Sequence, residues 1–193
     1  EKIIKDMSKK IEHRGPDGEG FYIDDNCALA HRRLAIIDLN TGAQPIYNED
    51  KSKVIIYNGE VYNFKELKEA LLKKKHVFKT KTDTEVILHG YEQWGEKLPN
   101  HLRGMFSFAI WDKNKNELFM ARDGFGIKPL YYAKFNDTFM FASEPKAFLA
   151  NPDFEKKLNT DILSAYLCFN SVPTSETFFK GVYRLDPGTY LRW

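Results

Sequence analysis

The run Tyr57-Asn58-Gly59-Glu60-Val61-Tyr62-Asn63 carries residue types suited to a developing negative charge. The Asn58 amide is a hydrogen-bond donor, and Gly59 has no side chain to cover its own N–H. Two such donors aimed at one point form an oxyanion hole. Glu60 follows at once and has the charge to grip a cationic group. Asn-Gly is also an ordinary turn pair, so the heptapeptide taken alone reads first as a strand–turn–helix link.

Two further residues bear on this chemistry. Arg33 shares one side of an alternating run with Leu29, His31, Ala35 and Ile37. A guanidinium on such a face needs a carboxylate, from the protein or from a ligand, unless it snorkels to solvent. Asp83 falls at a predicted helix N-terminus. A carboxylate there either favours the helix dipole or points at a ligand ammonium.

The elements that must position these residues follow from hydrophobic period. Ile3, Ile4, Met7 and Ile11 recur at helical spacing, predicting a helix over 1–12. Strands are expected at 21–23, 27–38, 54–57 and 76–80. Asn63-Phe64-Lys65-Glu66 and Thr82-Asp83-Thr84-Glu85 read as capping boxes. They open helices with apolar stripes Phe64, Leu67, Leu71, Leu72 and Val86, Ile87, Tyr91, Trp94. Gly95 stops the second. Strands at 105–112, 117–122, 130–135 and 138–143 form an antiparallel meander. Helices are expected at 144–150 and from Asn159 through Cys168, and a last strand follows the Pro187-Gly188 turn. Helices at separate points among antiparallel strands, without βαβ alternation, give an α+β class in one domain over 1–193.

Composition narrows the function classes. With 193 residues, 42% hydrophobic and 15% aromatic, the chain can bury a core. Twenty-nine basic against 27 acidic residues leave a net charge of only +2, which argues against nucleic-acid or membrane recruitment. The Lys73-Lys74-Lys75 run closes a predicted helix, where cations suit the dipole. Cys27 and Cys168 sit among apolar neighbours and read as packed, reduced thiols of a cytoplasmic protein. His13, His31, His76, His89 and His101 lack metal-ligand spacing, so no metal is expected.

Taken in order, a set of motifs resembles one family. These are His13-Arg14-Gly15-Pro16-Asp17, His31 through Asp38 (HRRLAIID), Gly42-Ala43-Gln44-Pro45, Tyr57 through Asn63, and Asp83-Thr84-Glu85-Val86-Ile87. Arg103-Gly104-Met105-Phe106, Arg122-Asp123, Gly126 through Tyr132 (GIKPLYY), Ala142-Ser143-Glu144 and Arg184-Leu185-Asp186-Pro187-Gly188 continue it. The set is similar to the glutamine amidotransferase domain of glutamine-hydrolysing asparagine synthetases. The resemblance implies the N-terminal nucleophile fold, a four-layer αββα sandwich of two antiparallel sheets. It implies an N-terminal cysteine that attacks the glutamine amide, with its own α-amine as base. Ammonia leaves, and a glutamyl thioester is hydrolysed. Residue by residue, it implies that Arg33 binds the glutamine α-carboxylate, Glu60 and Asp83 hold the α-ammonium, and Asn58 and Gly59 form the oxyanion hole. It implies no cofactor in this domain. A synthetase domain of the same parent chain would use ATP and Mg²⁺ to convert aspartate to asparagine. A homodimer is among the contacts it suggests.

The sequence departs from that pattern at its start. The family begins Met-Cys-Gly-Ile, whereas this sequence begins at Glu1, inside the following helix. Cys27 and Cys168 are mid-chain and have no α-amine of their own to act as base. The expectation is therefore a domain that lacks its nucleophile, and its synthetase partner, and is inactive by itself. Three alternatives stand beside this reading: another class II amidotransferase, an asparagine-synthetase-like enzyme, and a non-catalytic glutamine-binding module. The first is disfavoured by His31-Arg32-Arg33-Leu34-Ala35-Ile36, since its members resemble His-Thr-Arg followed by Tyr or Trp.

Overall fold

The computed structural model describes residues 1–34 and 42–193. Among them are helices α1 (Lys2–Lys10), α2 (Phe64–Lys73), α3 (Asp83–Trp94) and α4 (Leu163–Phe169). The strands are β1 (Gly18–Ile23), β2 (Ala28–Arg33), β3 (Ile46–Tyr47), β4 (Lys53–Val61) and β5 (Gly104–Asp112). They continue with β6 (Glu117–Arg122), β7 (Tyr131–Phe135), β8 (Thr138–Ala142), β9 (Val182–Arg184) and β10 (Tyr190–Arg192). All pair antiparallel, as β1-β2, as β10-β6-β5-β4-β3, and as β8-β7-β9. The α+β expectation holds. The described strands form three sheets instead of two, because β2 and β8 do not pair with each other.

Strand alternation gives the five-stranded sheet two apolar faces. Ile55, Tyr57 and Val61 of β4, with Phe106, Phe108, Ile110 and Phe119, pack against Leu67 and Leu71 of α2 and Val86, Ile87 and Tyr91 of α3. Val54 of β4, with Ala109, Trp111 and Met120, packs instead against Tyr22 and Leu29 of the first sheet and Leu130 near the third. A third cluster joins Met7 of α1 to Ala133, Met140 and Val182 of the β8-β7-β9 sheet. Each long strand of the large sheet is thus buried on both sides, which explains why β5 reads as a continuous apolar run.

Several expected boundaries shift. The strand expected at 54–57 runs on to Val61, because every residue to that point pairs with β5, ending at Val61 opposite Gly104. Asn58-Gly59 is therefore strand, not turn. The strand expected over 27–38 is β2 to Arg33, and residues 35–41, including Ala35 and Ile37, lie outside the described set. No strand forms at 76–80, and 145–150 is a 3-10 turn in place of an α-helix. Asn63 does not cap α2. Its side chain instead donates to the His101 carbonyl (2.9 Å) and accepts from Arg103 N–H (2.9 Å). Leu72, expected in the buried stripe of α2, is 50% exposed. Cys168, expected to be packed, is exposed.

Candidate active site

The site is built on the open edge of β4. In an antiparallel strand, alternate N–H groups point to opposite edges. Tyr57 N–H points away from β5 and donates to Gln44 Oε1 (2.6 Å). Val61 N–H points the same way and donates to Asp83 Oδ2 (3.0 Å). Gly59, midway between them, presents its N–H to this same edge. The side-chain alternation sets Asn58 and Glu60 on the face shared with Val54 and Ile56, opposite to Tyr57 and Val61. Position 59 must be glycine for packing. A Cβ there would lie 2.3 Å from the Met105 carbonyl oxygen and 2.7 Å from Phe106 Cα.

Asp83 reaches the site from α3. Thr82 caps that helix, its hydroxyl accepting from Glu85 N–H (3.4 Å). Only this half of the expected capping box forms, because the Glu85 carboxylate turns to Lys79 N–H (2.8 Å) and Thr80 N–H (2.7 Å). Besides Val61 N–H, Asp83 Oδ2 accepts the Tyr57 phenol (2.7 Å). Burial, then the Asp83 carboxylate, push that phenol far above its ordinary pKa, so it stays a donor. The arrangement pins the Asp83 carboxylate to β4.

Arg33 comes from the end of β2, and its backbone is held by the segment before β1. Asp17 N–H donates to the Arg33 carbonyl (3.0 Å), and Pro16 bridges to Arg33. Gly15 passes so close that a Cβ would meet the Arg32 carbonyl carbon at 2.4 Å. The His13 to Asp17 motif thus supports Arg33, and His13 and Arg14 also bind Glu144 (2.9 and 3.1 Å). Arg122-Asp123 is likewise structural. Asp123 accepts from the N–H groups of Phe106, Phe125, Ile127 and Lys128, and Arg122 donates to the carbonyls of Gly126, Lys128 and Leu185.

All five predicted residues, Arg33, Asn58, Gly59, Glu60 and Asp83, line one cleft of about 730 Å³. That is the size of a pocket for a small ligand. The cleft continues between β2 and β8 along α1, past Leu29 and Met140. Two residues beside it had no role in the sequence reading. Gln44 pairs with both backbone groups of Tyr57, its Nε2 donating to the carbonyl (3.1 Å), and so acts as a one-residue strand partner. His31 Nε2 donates to the same carbonyl (3.0 Å). Burial, against that hydrogen bond, lowers the His31 pKa to about 4, so the ring is neutral near pH 7. The motifs containing both were visible, but nothing in their spacing revealed a shared contact on Tyr57. Cys27 also lines the cleft, yet burial, then the Asp24 charge, push its thiol up to about 12, away from a nucleophilic thiolate.

Comparison with known proteins bears directly on this arrangement. The family model described as a glutamine amidotransferase domain matches residues 1–193. The chain belongs to this family. The amidotransferase domain is 45% identical over 190 residues to asparagine synthetase [glutamine-hydrolyzing] 1 of Bacillus subtilis, covering 98% of this chain and 30% of that protein. It is 39% identical over 204 residues to putative asparagine synthetase [glutamine-hydrolyzing] 2 of Methanocaldococcus jannaschii, covering 95% of this chain and 39% of that protein. The amidotransferase domain thus spans well under half the length of these curated relatives. Among solved structures it resembles glutamine phosphoribosylpyrophosphate amidotransferase from B. subtilis (TM-score 0.63, 24% identity, 77% of this chain and 40% of that one), a likeness of fold. No described helix is long and apolar enough to cross a membrane.

Proposed function

We propose that this domain binds glutamine and releases its side-chain amide as ammonia, in the service of asparagine synthesis. The observation that carries the reading is the convergence of Arg33, Asn58, Gly59, Glu60 and Asp83, from a strand, a second strand and a helix, on one cleft. A free amino acid presents a carboxylate and an ammonium. The Arg33 fork suits the first, and the Glu60 and Asp83 carboxylates suit the second. The side-chain carbonyl then lies toward Asn58 and the Gly59 N–H, which stabilise the oxyanion.

In this reading the nucleophile is a cysteine thiolate whose own α-amine has taken its proton. Sulfur bonds to the amide carbon, the carbon–nitrogen bond breaks, and ammonia leaves with the proton returned from the amine. Water then cleaves the thioester to glutamate. The stretch of cleft between β2 and β8 has the edges a strand needs on both sides, and we assign to it the strand that carries this cysteine. With that strand in place, β1-β2 and β8-β7-β9 become one sheet, and the layers become αββα in the N-terminal nucleophile pattern. The reading assigns no cofactor to this domain. It places aspartate activation, with ATP and Mg²⁺, in a synthetase domain of the same protein, and it places the whole in the cytoplasm.

The test is Arg33→Ala in the full-length protein. Loss of the carboxylate fork costs positioning, so glutamine-dependent ammonia release should fall by about 10²-fold or more. Synthesis from added ammonium should be unchanged. Equal loss of both activities would remove Arg33 from glutamine binding and with it the proposed substrate orientation.

A further inference from the structure

A second cluster of chemically capable side chains lies along α3, beyond the cleft. Donor atoms of Glu49, His76 and His89 all fall within 4.8 Å of one another. His89 Nδ1 is 2.8 Å from Glu92 Oε2 and 3.9 Å from Glu49 Oε2. His76 Nδ1 is 3.7 Å from that same Glu92 oxygen. We propose that Glu49, His76 and His89 form a structural site for a divalent metal ion of the zinc type, with the Glu92 carboxylate beside it.

The distances suit such an ion. Four ligands held tetrahedrally at about 2.0–2.1 Å from zinc are about 3.3–3.4 Å from each other. The three donors lie within 4.8 Å of one another, with Glu49 and His89 at 3.9 Å, so an inward shift of about 1 Å closes them on the ion. The donor set is also apt. Imidazole and carboxylate together favour zinc and its neighbours over the all-oxygen preference of calcium and magnesium. Two carboxylates offset the two charges of the ion. Three donors from three segments hold the ion, and a water or the neighbouring Glu92 carboxylate takes the fourth position.

The surroundings hold the ligands as a metal site requires. Glu92 Oε1 accepts from Asn48 Nδ2 (2.7 Å), and Glu49 Oε1 accepts from Val77 N–H (3.3 Å). His89 is buried, with a side chain 1% exposed. Its Nε2 has no hydrogen-bond partner among the described residues, and it faces Glu85 Oε1 at 3.8 Å. Glu85 is itself fixed by Lys79 N–H, Thr80 N–H and the Thr80 hydroxyl. With a metal on Nδ1, the His89 Nε2–H would turn to this fixed carboxylate, the kind of partner that orients a ligating histidine. The three ligands come from the turn between β3 and β4, the loop after α2, and α3. An ion there would tie three segments together, about 9 Å along the helix axis from Asp83. Linear spacing shows no motif because only His89 and Glu92 are close in sequence. The proposal is independent of the amidotransferase reading.

Tag-free, chelator-stripped protein titrated with ZnCl₂ in a calorimeter, and with CoCl₂ in a spectrophotometer, tests it. The expected result is one ion per chain, with the intense visible bands of tetrahedral cobalt, displaced by Zn²⁺. At a hundredfold excess over Kd the melting temperature should rise by about 5 °C or more. His76→Ala and Glu49→Gln alter partly exposed side chains. Each should weaken Zn²⁺ binding about tenfold or more, with the metal-free melting temperature unchanged. Absence of saturable binding, cobalt spectra of octahedral type, or affinity unchanged in both variants would overturn the site.

Discussion

The proposed pairing of Asn58 with Gly59 depends on where they sit in β4. The sequence identified them as donors, but as a turn, and a turn would have left their orientation open. Strand alternation settles it: the Gly59 N–H points to the open edge, between the donors of Tyr57 and Val61, and the Asn58 side chain stands on the face shared with Ile56. His31 belongs to the same residue-level picture. Its neutral ring donates to Tyr57 O, with Arg33 the nearby charge that also disfavours protonation. Its folded pKa of about 4 lies below the ordinary histidine value of 6.5. The unfolded chain therefore binds the proton more readily. Stability from this group is complete above about pH 6.5 and is lost as pH falls toward 4. Between pH 7 and 4.5 the loss should be about 2 kcal/mol. Urea unfolding at the two pH values checks it: His31→Gln should remove a loss of about that size, and an unchanged pH slope would show that His31 protonates without penalty.

At the scale of elements, Asp83 shows how a helix delivers a carboxylate to a strand edge. Thr82 caps the helix at its start, Asp83 opens it, and Tyr57 and Val61 of β4 receive the side chain. Tyr57→Phe removes one of those two donors and leaves the core packing almost intact. Net, such a hydrogen bond contributes about 1 kcal/mol, so KM for glutamine should rise about fivefold with kcat little changed. A fall in kcat with constant KM would place Asp83 in the chemistry instead of in binding. The helix and its cap were legible because Thr82-Asp83-Thr84-Glu85 precedes a clear apolar stripe. The Glu85 contact was not, since its partners Lys79 and Thr80 lie in a segment that read as strand. The same limit hid the role of Gln44. A side chain standing in for a strand leaves no periodic trace, whereas the apolar runs of β5 and β6 do.

For the whole molecule, the five-stranded sheet is the platform: β4 carries Asn58, Gly59 and Glu60 of the candidate site, β2 and α3 bring Arg33 and Asp83 to it, and the hydrophobic stabilisation is spread across the sheet. The α+β class was readable from the meander and the separate helices. The division into three sheets was not, because pairing partners far apart in sequence leave no local sign. Phe119 of β6 separates these contributions. It is fully buried in the cluster beneath α2 and α3 and stacks on Tyr91 with ring centroids 5.1 Å apart. It also lies 6.0 Å from Phe108 and 5.5 Å from Tyr190, ring centre to ring centre. Phe119→Ala leaves a cavity among these rings and should cost about 3–5 kcal/mol. For a domain of this size that lowers the melting temperature by roughly 6–20 °C. β6 does not line the cleft, and β5 stands between it and β4. Phe108 alone both meets the Phe119 ring and lines the cleft, so glutamine affinity measured well below the lowered melting temperature should fall by no more than about fivefold. A large loss of affinity at full folding would mean that the sheet transmits packing strain across β5 to Asn58 and Gly59, and that the platform and the site form one cooperative unit.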